Sequence, residues 1–232
     1  MLLRAALLAA LAAGGAAAQG IDAATYAEPT DRYPHGALGD PVEWGALVLE
    51  TARGPVTVRL PEERVFEDTA PRVVDVDGDG ATEAVVVESN RDLGARLAIY
   101  GAEGTLIAAN DWFGQRNRWL APVGVADLDG DGRVELAYID RPHLAKRLIV
   151  LEFADGALRE EAVAEGLTNH SYGEPAIHGG LRDCGDGIEM ITADADWSRV
   201  MATRLRDGRL ESRALGPFTG LGDLAAALDC PG

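Results

Sequence analysis

The sequence predicts an all-β fold, a small β-propeller of about four four-stranded antiparallel blades. Three observations carry that prediction. The chain repeats itself in units of about fifty residues. Each unit reads as short β-branched runs parted by turn residues. Two units carry an acidic, glycine-turned nonapeptide between their first and second runs.

The repeat shows when the segments are aligned on a closing glutamate. Residues 73–89 read VVDVDGDGATEAVVVES, and residues 124–140 read GVADLDGDGRVELAYID. Residues 179–194 (GGLRDCGDGIEMITAD) and 36–50 (GALGDPVEWGALVLE) are shorter versions. The glutamates are Glu43, Glu83, Glu135 and Glu189, and Pro34, Pro71, Pro122 and Pro175 stand ahead of them. The units therefore run at about 33–70, 71–121, 122–174 and 175–216, with a tail at 217–232.

The elements within each unit follow in order. A first apolar run enters the loop: Val73-Val74, Val123 to Ala126, and Ile177. A second leaves it: Ala84 to Val87, Leu136 to Ile139, and Met190 to Thr192. A third run (95–100, 147–153, 199–204), a tight turn and a fourth run (105–108, 157–159, 209–212) complete the unit. The second runs are apolar at successive positions, as strands covered on both faces are, and sheets repeated radially give that cover. Only Leu221 to Leu228 has helical character. Either the four units close alone, or residues 19–34 complete the last one as a shared strand.

The nonapeptides are Asp75-Val-Asp77-Gly-Asp79-Gly-Ala-Thr-Glu83 and Asp127-Leu-Asp129-Gly-Asp131-Gly-Arg-Val-Glu135. Aspartates at alternate positions repel one another, and a hard divalent cation resolves that repulsion. Ca²⁺ takes six to eight oxygens, and a tight turn can wrap carboxylates round it. Glycine supplies the left-handed angles of such a turn. One ion is expected on Asp75, Asp77, Asp79 and Glu83, and a second on Asp127, Asp129, Asp131 and Glu135. The backbone carbonyls of Ala81 and Arg133 are candidate further ligands. The competing reading is an acidic hairpin with Asp-Gly turn chemistry and no metal. An EF-hand is excluded, because its loop needs a carboxylate at the twelfth position, where Val86 and Tyr138 stand.

These loops, set between strands, resemble FG-GAP repeats, also called VCBS-type repeats. Such repeats form the calcium-loop blades of integrin α-chain propellers and of many secreted bacterial proteins. The resemblance covers about residues 30–215 and is specific at the two intact loops. It implies a β-propeller with Ca²⁺ in those loops. The family's propellers commonly carry more blades than the four units counted here. Units one and four lack the full ligand set, with Pro41 and Cys184 at loop positions, so calcium is carried over to units two and three only.

Residues 1–18 read as a secretion signal, with Arg4, an apolar stretch and a small-residue Ala16-Ala17-Ala18 end. The stretch is too short for a membrane span, which needs about 20 apolar residues. A secreted or periplasmic chain is expected. The two cysteines, Cys184 and Cys230, then read as a disulfide, worth up to about 4 kcal/mol in the chain-entropy model. Lys146 is the sole lysine, a usage that fits a GC-rich bacterial genome. A net charge of −17 argues against nucleic acid, since phosphate binding needs basic patches.

No nucleophile elbow, zinc helix motif or phosphate loop is present in the sequence. The unusual side chains lie ahead of the repeat loops: Arg32, Glu67, Arg116, Arg118, Trp119, His170 and Tyr172. If first strands line an axis, these residues converge at one mouth as a possible ligand site. The alternative is that the aromatics pack between blades and the arginines form ion pairs. The leading reading is a non-enzymatic, monomeric binding or scaffold module of the cell envelope, its partner an envelope protein or a polysaccharide. A lyase or hydrolase working through His170, Arg118 and Glu67 is the alternative.

Overall fold

The computed structural model describes residues 19–230. The signal segment read at residues 1–18 lies outside the described residues. The described residues form an all-β fold with one short helix.

The first unit is a meander of β1 (Ile21–Thr30), β2 (Glu43–Thr51) and β3 (Val56–Arg59). Residues 19–34 thus supply a strand to the first unit. The second unit opens on a strand broken in two, β4 (Arg64–Phe66) and β5 (Arg72–Val74), both paired with β6 (Glu83–Asn90). It continues through β7 (Gly94–Tyr100) and β8 (Leu106–Ala109). The third unit is β9 (Leu120–Ala126), β10 (Glu135–Asp140), β11 (Arg147–Ala154) and β12 (Ala157–Glu165). The fourth again splits its first strand, into β13 (Leu167–Thr168) and β14 (Gly180–Asp183), both on β15 (Ile188–Asp194). Strands β16 (Arg199–Arg206) and β17 (Arg209–Pro217) finish it, and α1 (Leu221–Leu228) follows.

Two details differ from the regular repeat. The first unit has three strands rather than four. Its β2 also bridges to β4 through Trp44 and Phe66, so units one and two form one eight-stranded sheet. Ile177 lies outside any strand, in the segment between β13 and β14. That segment bulges out because His178 N–H donates to Asn169 O at 3.0 Å, closing a loop of its own.

Alternation along the central strands explains the apolar runs. In β6, Val85 and Val87 pack toward the third unit, while Ala84 and Val86 pack toward the first. In β10, Leu136 and Tyr138 face the second unit, and Ala137 and Ile139 face the fourth. In β15, Met190 faces the third unit, and Ile191 and Ala193 face α1. Each Val, Leu, Ile or Met among them contributes roughly 1.5–3 kcal/mol when fully buried. The helix closes the last face by placing Leu224 on Ile191, Val200 and Ala202.

The first unit runs backwards relative to the others. The first strands of units two and three end at the acidic loops, with Val74 opposite Glu83 and Ala126 opposite Glu135. β1 instead starts there: Ile21 N–H donates to Thr82 O at 3.1 Å. Farther along, Tyr26 stacks on Phe66, with ring centroids 5.4 Å apart. Its loop, residues 31–42, therefore emerges at the end away from the acidic loops. There it meets the fourth unit, where Gly173 N–H donates to Ala37 O at 2.9 Å.

Candidate metal centres and polar cluster

The two nonapeptides fold alike. Asp75 takes the N–H groups of Gly78 and Gly80 at 2.7 and 2.9 Å, and Asp127 takes those of Gly130 and Gly132 at 2.7 and 3.0 Å. Asp77 and Asp129 accept from the amides of Asp79 and Asp131, both at 3.1 Å. Glu83 accepts from Val76 N–H at 3.0 Å, and Glu135 from Leu128 N–H at 2.6 Å. The glycines carry the left-handed turn, with φ of 73° and 89° in one loop and 84° and 92° in the other.

These bonds aim the carboxylates inward. Ligand oxygens of Asp75, Asp77 and Glu83 lie within 4.8 Å of one another, as do those of Asp127, Asp129 and Glu135. Asp79 and Asp131 fall outside that spacing, because each turns to the amide two residues on, Ala81 at 2.7 Å and Arg133 at 2.8 Å. The Arg133 side chain points away to Glu152, at 2.6 Å.

Burial pushes the Glu135 carboxyl up to about 8, helped by Asp129, Glu161 and Asp127, against the Leu128 amide. Burial and the three loop aspartates raise Glu83 as well. A divalent cation among these oxygens would reverse both shifts, since the nearest charge would then favour the ionised form. Oxygen-only donors on a flexible turn suit a hard cation.

The fourth unit keeps Asp183 and Asp186 in its shorter loop but holds its closing glutamate with arginines. Its loop keeps the glycine turn, with Gly185 and Gly187 at φ of 95° and 98°. Glu189, 1 % exposed, is instead held by Arg182 and Arg213, each at 2.7 Å, and by Arg204 at 3.0 Å. Burial raises the carboxyl, but Arg182 and Arg213 outweigh it and hold Glu189 below the usual range. Sequence reading missed these arginines. The available signal was a closing glutamate whose shortened loop, with Asp183 and Asp186, lacks the three alternate aspartates of the other two. Beside it, Cys184 and Cys230 form the disulfide, their Cα atoms 5.5 Å apart.

The residues singled out for a mouth come together in part, around His35. Glu67 accepts from the Ser89 hydroxyl and lies 2.5 Å from His35 Nδ1. Trp119 Nε1–H donates to Glu67 O at 2.9 Å, and Tyr172 O–H donates to His35 O at 2.7 Å. His170 Nε2–H donates to Glu174 O at 2.8 Å, and in the neutral ring its Nδ1 accepts from His143 Nε2–H, also at 2.8 Å. Burial, then His170, pushes His143 down to about 4, and burial lowers His170. Glu67, Trp119 and His170 are buried, while Tyr172 is exposed.

The arginines stay apart from this cluster. Arg32 holds the turn ahead of β4, donating from Nε to Arg64 O at 3.0 Å. Arg116 is exposed, and Arg118 reaches Asn117 O at 3.3 Å. The depression beside His35, His143 and Trp119 holds about 20 Å³, about the space of one water.

Fold and loops together define a protein of repeated antiparallel sheets, two of which turn between their first and second strands on an acidic glycine loop. Residues 75–138 match the family model described as the FG-GAP-like repeat. That span takes in both intact loops, and over it the chain is similar to an FG-GAP-like repeat. Among curated proteins, none matches the chain. A disulfide and such repeats fit an extracellular or envelope protein. Among the described residues no helix is long and apolar enough to cross a membrane.

Proposed function

We propose that the chain is an exported, monomeric binding or scaffold module of the cell envelope, stabilised by two calcium ions. The observation that carries this reading is the pair of acidic loops with one hydrogen-bond pattern. Three inward carboxylates in each loop support it. Asp75, Asp77 and Glu83 would hold one ion, and Asp127, Asp129 and Glu135 the other. Asp79 and Asp131, with the carbonyls of Ala81 and Arg133, would complete the shells after small side-chain turns. The ions would neutralise the carboxylates crowded within each loop. Residues 1–18 would direct export, and the four units would form the propeller-like body that presents its surfaces to an envelope protein or polysaccharide. The lyase or hydrolase reading draws no support from the distances around His170, Arg118 and Glu67.

Metal analysis of the purified mature protein tests the proposal. Two calcium ions per chain are expected. A site with Kd near 10 µM in about 1 mM calcium gains roughly 2.7 kcal/mol by mass action. EDTA should therefore lower the melting temperature by several degrees, and calcium should restore it. A metal-free protein whose melt ignores both reagents would overturn the reading.

A further inference from the structure

The outer face of the fourth sheet divides in two. One half is apolar and lies under α1. The other half carries charge. Strand pairing sets Arg182 opposite Glu189, Arg204 opposite Glu211, Ala202 opposite Arg213 and Arg206 opposite Arg209. Directly paired residues share a face, and Ile191, Val200 and Ala202 fix that face as the outer one. It therefore holds five arginines against two glutamates, on a chain whose net charge is −17.

Three of the arginines meet at Glu189. Three guanidiniums on one carboxylate leave positive charge in excess. Arg206 and Glu211 are exposed at the open side. Between them lies a cleft of about 290 Å³, lined by Arg204, Arg206, Glu211 and Arg213. Guanidinium forks match carboxylates, and the same wall already holds one carboxylate, that of Glu189. Glu211 adds an acceptor, which repels a plain anion but accepts hydrogen bonds from hydroxyls.

We propose that this cleft binds a hydroxylated carboxylate, the chemistry of a uronic acid residue in an acidic polysaccharide. The guanidiniums of Arg206 and Arg213 take the carboxylate, and Glu211 takes a sugar hydroxyl. The inference rests on the binding-module reading and names its ligand class.

Calorimetric titration of the full mature protein with sodium glucuronate, in about 20 mM salt so that screening is weak, tests it. Saturable binding is expected, and propionate, which lacks the hydroxyls, should bind at least about tenfold more weakly. Arg206→Gln, at an exposed position, should weaken glucuronate about tenfold while leaving the melting temperature and calcium content unchanged. Glu211→Gln should weaken glucuronate but not propionate. Oligogalacturonate should bind more tightly than oligoglutamate. The proposal is overturned by no saturation with glucuronate, by equal binding of propionate, by an unaffected Arg206→Gln, or by preference for the acidic peptide. Calcium content measured on the same samples separates the two readings. Uronate binding without calcium sinks only the calcium reading, and calcium without uronate binding sinks only this one.

Discussion

At the residue scale, four glutamates in one repeat position meet three environments. Glu83 and Glu135 sit in aspartate loops, and Glu189 sits among arginines. Glu43 has neither. It is buried, its Oε1 lacks a hydrogen-bond partner, and burial, then Glu67, Asp40 and Asp68, pushes it up to about 10. Such a group keeps its proton in the folded chain and loses it in the unfolded chain near the ordinary carboxylate range. The folded state therefore binds more protons through that interval, and stability falls as pH rises from about 4.5 to about 10. Glu43→Gln, always neutral, should melt near the parent at pH 5 and above it at pH 9. Each kcal/mol relieved is worth about 2–4 °C in a domain of this size. A gap that does not widen with pH would count against a protonated Glu43. The position of Glu43 was legible in the repeat. Its missing partner was not, because the acid that crowds it, Glu67, comes from the strand bulge between β4 and β5.

At the element scale, close approach between units decides which residues are tolerated. Gly124 of β9 faces Leu181 of β14, and a Cβ built there would lie 2.3 Å from Leu181 Cγ. Gly124→Ala should wedge the third and fourth units apart and cost about 1–3 kcal/mol, as overpacking does. Leu181→Ala in the same chain should recover most of the loss, measured by denaturant midpoint. A double variant no more stable than Gly124→Ala would show that the crowding lies elsewhere. Strand positions were readable from β-branched runs and turn residues. The third and fourth runs of units two to four became β7, β8, β11, β12, β16 and β17, and the helical tail became α1 at Leu221–Leu228. The split entry strands of units two and four were not readable, since residues 67–71 and 169–179 leave the sheet for long-range partners.

At the scale of the whole molecule, two stabilising devices divide the chain. The loops of the second and third units hold surplus negative charge that a cation would cancel. The fourth unit cancels its own with arginines and is tied by the disulfide. Hydrogen exchange in EDTA should accordingly speed at β5, β6, β9 and β10 and leave β15 and β16 protected. Adding DTT should then free α1 and speed exchange at β15 and β16. Equal loss of protection in all units with EDTA alone would defeat this division, which follows from local opening of the least satisfied parts.

Taken alone, the sequence determined the strand runs, the two acidic turns, the helical tail and, with only two cysteines, the disulfide partners. These are local matters: side-chain periodicity, glycine at left-handed angles and residue counts report them directly. Only the tertiary structure decided that the first unit runs backwards, that β4 joins two units in one sheet, and that Arg182, Arg204 and Arg213 surround Glu189. A strand buries the same side chains whichever way it points. Its direction and its charge partners are set by contacts between residues far apart in the chain, and no periodicity records them.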